Sequence, residues 1–267
     1  MKAALLIPVM VCSMAITCFC QRAQTYNWNW KYDGIVLGAA IAGYTGTQSL
    51  INASGTPTWN DLQALNRNGV WGFDRGAISN NSIAAGNMSD ILLYGSMTLP
   101  LISILDGKVG SEKGAVIGMM FETLLINYNL TGTLKATTRR LRPYAYRISP
   151  TEGGEISSTT NQSFISGHTS TVAAASFFTA KVLTDMHPDS PVKPLIWASA
   201  IALPATTGYL RYKAGKHFPS DVIVGYGVGA LIGFFVPHLH KNRDNQRFSI
   251  SPAAGGVAGL GLTINLN

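Results

Sequence analysis

Six apolar stretches, separated by polar connections, dominate the chain beyond its N-terminal segment. They cover roughly residues 35–51, 91–105, 114–134, 169–183, 195–210 and 222–239. Each is too long for an ordinary strand, so the pattern predicts six helices. The longest connection, 52–87, contains TWNDLQALNRNGVWGFDRGA, whose short amphipathic pieces predict one or two extra helices. At the C-terminus the period changes: residues 248–251 and 260–267 alternate apolar and polar positions around AAGGVAG, which predicts a β-hairpin. One hairpin is too small for a barrel, so it is expected to pack on the helical body or dock at an edge. The expected fold is all-α, a bundle of about six core helices with short extra helices and a small C-terminal hairpin.

The N-terminus opens with Lys2, an apolar run over 3–19 and polar residues at 21–24, the pattern of a secretory signal peptide over 1–22. That leaves a helical domain over 23–245 and a hairpin tail over 246–267, with no internal repeat. All three cysteines, Cys12, Cys18 and Cys20, fall inside the leader. The mature chain then has no thiol for a disulfide or for thiol chemistry.

Composition narrows the partners. Charged residues make up 12% and hydrophobic ones 46%, between a typical soluble domain and a polytopic membrane protein. A formal charge of +7 points to an anionic partner. No basic tract with interleaved aromatics is present, which argues against nucleic acid and for small phosphates or anionic lipids. Oligomeric state is not readable from the sequence.

Three polar motifs sit at the ends of consecutive apolar runs. The third run ends in KATTRRLRP, where helical spacing puts Lys135 and Arg142 on one side and turns Arg140 away. Pro143 stops the helix and leaves these cations at its C-terminal end. Next comes SFISGHTS, in which Ser166 and Gly167 open a helix and expose backbone N–H groups as an anion cradle, with His168 beside it. The third motif, LRYKAGKHFPSD, brings Arg211, His217 and Asp221 to the mouth of the last helix, which Pro219 starts. A carboxylate four residues after a histidine can hold one ring nitrogen and leave the other free to attack. If the helices alternate up and down, all three motifs meet at one end of the bundle.

Together the motifs resemble the type 2 phosphatidic acid phosphatase and vanadium haloperoxidase superfamily, whose signature is K-x6-R-P, then P-S-G-H, then S-R-x5-H-x3-D. Here the three parts are Lys135 to Pro143, Ile165 to His168, and Leu210 to Asp221. Ile165 and Leu210 stand where the family has proline and serine. The resemblance implies a metal-independent phosphatase acting on phosphomonoesters or on lipid phosphates and diphosphates. It further implies that His217 attacks phosphorus, that Asp221 sets the tautomer of its ring, and that His168 protonates the leaving alcohol and then activates water. Lys135, Ser166, Gly167, Arg142 and Arg211 would bind the phosphoryl oxygens. No cofactor is implied, and vanadate would inhibit. The alternatives are a haloperoxidase with vanadate as cofactor, or a non-catalytic anion- or lipid-binding envelope protein.

His187, His238 and His240 have no carboxylate or cysteine at local metal-ligand spacing, so no metal site is expected. Residues 91–105 span only about 22 Å as a helix against a bilayer core of about 30 Å, and Glu122 and Lys181 interrupt two other runs. This favours an exported, periplasm-facing protein, soluble or membrane-associated, over an integral inner-membrane one.

Overall fold

The computed structural model describes residues 24–149, 155–242, 248–253 and 259–264, the last two segments by backbone alone. The predicted leader and its cysteines lie outside the described residues.

The chain folds into α1 (Asp33–Ala53), short helices α2 (Trp59–Gln63) and α3 (Gly72–Arg75), then α4 (Ile83–Ser96) and α5 (Leu99–Leu105). The long helices α6 (Lys113–Thr138), α7 (Gly167–Met186), α8 (Lys193–Lys213) and α9 (Pro219–His240) follow. The architecture is all-α, as the apolar pattern predicts. At the tail, β1 (Phe248–Ala253) pairs antiparallel with β2 (Gly259–Ile264), Phe248 facing Ile264.

The second apolar run differs from its predicted bounds. Its helix begins at Ile83, where the Ser82 side chain caps it by accepting the Ala85 N–H at 3.2 Å. The polar residues of AAGNMSD hid this start from an apolar count. The stretch Ile83–Leu105 is 23 residues long, not the 15 that argued against a span, and it is apolar enough to cross a membrane, as are α1 and α9. Large apolar side chains also face outward on these segments, among them Ile35 and Leu50 on α1, Ile91 and Leu105, and Leu231 and Leu239 on α9.

Helix α7 is the centre of the bundle, with α9, α8, α6 and α4 packed around it. Its contact with α9 is close because α9 carries glycine every fourth residue on that face. A methyl group at Gly229 would stand 2.0 Å from the Ser170 carbonyl oxygen, and one at Gly233 2.3 Å from that of Ala174. Backbone atoms cannot yield to such a clash, so only glycine permits this approach. Polar groups tie α6 to its neighbours: Asn127 Nδ2 donates to Thr171 Oγ1 at 3.2 Å, and Asn129 Nδ2 to the Ala40 carbonyl at 2.7 Å.

The N-terminal strand-like segment is held at the other end of the bundle. The Glu112 carboxylate accepts the N–H groups of Thr25 and Tyr26 at 3.0 and 2.8 Å. Tyr26 packs with Val116, Met119, Phe178 and Met186 and bridges to Lys241 just past α9. The helices alternate in direction, so the end of α6, the start of α7, the end of α8 and the start of α9 share the opposite end.

Candidate active site

The site is built where these four helix termini meet. Helix α6 stops because Arg139 takes a left-handed conformation, φ 46°, and donates its N–H to the Lys135 carbonyl. From there the chain is no longer helical, so helical spacing does not apply to Arg140 or Arg142. Arg142 is buried; its Nε donates to the Thr159 carbonyl at 2.9 Å and its Nη1 to that of Lys216 at 3.5 Å. Lys135 reaches across to α7, where a methyl group on Gly167 would stand 3.2 Å from its Nζ. The small residue at the helix start thus makes room for the ammonium group.

Ser166 caps α7. Its Oγ accepts the Thr169 N–H at 3.4 Å and shares a hydrogen bond with Thr169 Oγ1 at 2.9 Å, while its own N–H donates to the Asp221 carbonyl. The Ser166 hydroxyl is therefore committed to the helix start, and the N–H groups of the first turn are what the cradle offers an anion. The neighbouring Ile165 is fully buried.

His217 is fully buried between the helix ends. Its Nδ1 lies 2.8 Å from the Ser163 carbonyl oxygen. A carbonyl only accepts, so Nδ1 carries the proton and Nε2 holds a lone pair. That Nε2 has no hydrogen-bond partner. Asp221, expected to fix the tautomer, is 3.8 Å from Nδ1, beyond hydrogen-bond range. Its carboxylate instead accepts from Ser163 Oγ at 2.6 Å, the Phe218 N–H at 2.9 Å and Arg140 Nη1 at 2.5 Å. Asp221 positions the ring's surroundings; Ser163 holds the ring.

Arg140 is the residue the spacing argument turned away. It bridges Asp221 and Asp74, the latter at 2.7 Å, and its guanidinium lies 4.2 Å from the centre of the Phe218 ring. Asp74, on α3, also accepts from the Ser220 N–H and hydroxyl, which ties the short helix before α4 to the start of α9.

Asp90 on α4 is a second residue that the sequence did not single out. Its Oδ1 lies 2.7 Å from His168 Nε2 and 3.3 Å from Arg211 Nη1. Arg211 also donates to Ser89 Oγ at 3.2 Å. Asp90 is 48% exposed and lines a cleft of about 220 Å³ with Asn87, Arg211 and Lys216. A second cleft of about 400 Å³, lined by Tyr144, Arg147, Glu155 and Lys216, adjoins the same loops.

The charges converge strongly. Burial, then the Arg142 and Arg211 guanidinium groups, pulls the Lys135 ammonium down to about 7. Burial and Arg142 bring Arg211 down to about 10. His168 falls to about 4 through burial and Arg211, against the opposing pull of Asp90. Burial and the three cations hold His217 well below the usual histidine range, so its ring is neutral. An unprotonated imidazole nitrogen among cations that repel its protonation is suited to attack an anionic, electrophilic centre.

The model of the PAP2 superfamily matches residues 117–245, which contain all three motifs. That region of the chain is a PAP2 superfamily domain. Within PAP2 proteins of known structure, the chain is similar to a transmembrane PAP2 type phosphatidylglycerolphosphate phosphatase from Bacillus subtilis. The identity is 21% and the TM-score 0.49, over 79% of this chain and 98% of that chain. No curated protein matches the sequence.

Proposed function

We propose that this PAP2 protein is a phosphatase that hydrolyses phosphomonoesters or lipid phosphates and diphosphates through a phosphohistidine at His217, with no metal at the phosphoryl centre. The observation that carries this reading is the unpartnered Nε2 of a fully buried, neutral His217 beside Lys135, Arg142 and Arg211. The Nε2 lone pair forms the P–N bond as the P–O bond to the leaving alcohol breaks. Lys135, Arg142, Arg211 and the first-turn N–H groups at Gly167 hold the phosphoryl oxygens, where charge builds in the transition state. Arrival of the anionic substrate raises the affinity of His168 for a proton, which it passes to the leaving oxygen. In the second step His168 takes a proton from water, oxygen attacks phosphorus, and the P–N electrons return to His217.

The outward apolar faces of α1, α4, α5 and α9 support a membrane-bound protein, and a lipid phosphate would present its headgroup at the polar end of such a bundle. The leader supports export, and the site then opens to the periplasm where α1 lies against the membrane without crossing it, because the end of α1 is at the site end of the bundle. Purified protein incubated with phosphatidic acid should release phosphate, be inhibited by vanadate and yield an acid-labile phosphohistidine on quenching. His217→Ala should lose both the phosphate release and the adduct. A fully active His217→Ala would overturn the reading.

A further inference from the structure

At the other end of the bundle, folding brings together three side chains that lie far apart in the sequence. Asp33 opens α1, Glu122 lies on α6 and His240 closes α9, and one donor atom from each lies within 4.8 Å of the others. The rise from Glu122 to Lys135 along α6 is about 20 Å, and that from Asp221 to His240 along α9 about 28 Å. The cluster is thus separate from the phosphate end.

His240 is set as a ligand. Its Nδ1 donates to the Val236 carbonyl at 2.8 Å and its ring stacks on Trp28, with centroids 5.6 Å apart. That fixes the ring and aims Nε2 at the two carboxylates, 3.3 Å from Glu122 Oε2 and 3.4 Å from Asp33 Oδ1. Nε2 has no hydrogen-bond partner, and neither has Glu122 Oε1, although Glu122 is only 2% exposed. The second oxygen of Asp33 accepts the Asn29 N–H at 2.5 Å.

A protonated His240 between two carboxylates explains this poorly. Charge-assisted N–H···O bonds run to about 2.7–2.9 Å, shorter than either separation, and Nε2 makes no hydrogen bond to either carboxylate. One imidazolium would also leave a net negative charge. A divalent ion balances both carboxylates. In a tetrahedral centre with bonds of about 2.0–2.1 Å, neighbouring donor atoms stand about 3.3 Å apart, which both separations from His240 Nε2 match. The Nδ1–H to carbonyl bond is the usual outer-shell support of a metal-bound histidine.

We infer that Asp33, Glu122 and His240 bind a divalent first-row transition ion, best Zn²⁺, as a clasp joining α1, α6 and the end of α9. The fourth position faces a cavity of about 570 Å³ lined by Asn27, Asn29, Tyr32 and Asn242, which leaves room for water. Local spacing excluded this site in the sequence because each ligand comes from a different helix.

The test uses tag-free, full-length protein in detergent, stripped with chelator, reloaded with Zn²⁺ and freed of excess metal by gel filtration. Wild type and His187→Ala should retain one zinc per chain, while Glu122→Gln and His240→Ala retain none. Co²⁺ in the same site should give the intense visible absorption of a tetrahedral centre. Failure of the wild type to retain zinc, or retention by both Glu122→Gln and His240→Ala, would overturn the proposal. If His240→Ala does not fold, the nearly isosteric Glu122→Gln decides. Phosphate release from the same samples separates the two readings: zinc bound by an inactive wild type upholds the clasp and sinks the phosphatase, and an active, zinc-free wild type does the reverse.

Discussion

The Nδ1 of His217 lies 2.8 Å from the backbone carbonyl oxygen of Ser163, a full ångström closer than the nearest carboxylate oxygen of Asp221. A main-chain group therefore sets the tautomer of the proposed nucleophile, and the carboxylate braces the loop around it. Where a carboxylate itself sets the tautomer, the amide replacement costs about 10⁴-fold in kcat. Asp221→Asn should cost less than about tenfold, because Ser163 still holds the ring. Its stability should fall by about 1–3 kcal/mol, since Ser163 Oγ, the Phe218 N–H and Arg140 lose a charged acceptor. Steady-state phosphate release and thermal unfolding read the two effects separately.

Arg140 clamps two buried carboxylates, Asp74 at 2.7 Å and Asp221 at 2.5 Å, from a side chain that is 29% exposed. Removing the cation leaves both acids without their shared partner. Arg140→Met, which keeps the stem over Phe218, should lower stability by about 2–3 kcal/mol, the partial exposure of Arg140 moderating the loss. Arg140→Lys should recover only part of it, because one ammonium group cannot span both carboxylates as a guanidinium does. An unchanged melting temperature for Arg140→Met would show that the clamp contributes nothing.

The long helices and the meeting of three motifs were legible because apolar runs of helical length and short connections restrict a bundle to few arrangements. What escaped was carried by irregular backbone and by long-range contacts. Arg140 was misplaced because α6 ends at Thr138, so a helical projection carried past it assigns the wrong face. Asp90 was overlooked because its helix starts at Ile83 on a Ser82 cap, ahead of the apolar run. The partner of His217 is a carbonyl, which no side-chain motif can reveal. Asp33, Glu122 and His240 share neither a helix nor a local spacing.

Asp90 links the proposed general acid to one of the proposed phosphate-binding cations, through His168 at 2.7 Å and Arg211 at 3.3 Å. Its carboxylate favours the imidazolium, so removing the charge lowers the affinity of His168 for a proton. Asp90→Asn should reduce kcat by roughly tenfold, against about 10²- to 10⁴-fold for loss of His168 itself. The alkaline limb of its kcat profile should also begin at lower pH than in the wild type. A merely structural role would leave that limb in place.

The export reading is open to direct measurement, because the cysteines of the chain all lie at or before Cys20. Lys216 is exposed and lines the cleft beside Arg211. A Lys216→Cys variant should react with a membrane-impermeant maleimide in intact cells, while the parent chain does not. Labelling only after lysis would place the site in the cytoplasm and sink the exported orientation.

Lys135 gives the proposed phosphate cradle its own pH dependence. Burial and the neighbouring guanidinium groups bring it down to about 7, so in the free protein it is charged below that pH and neutral above it. Anions bind the charged form, and binding must therefore weaken as pH rises through about 7. Sulfate is the suitable probe, since it stays a dianion across this range and does not add a titration of its own. Its inhibition constant should rise by up to about tenfold per pH unit above the Lys135 transition, the slope set by one proton. Lys135→Arg cannot lose its charge, so the slope should vanish in that variant even if the absolute affinity changes. Arg211, brought down only to about 10, stays charged throughout and cannot produce the effect. A slope that survives in Lys135→Arg would assign it to another group and remove Lys135 from the cradle's titration.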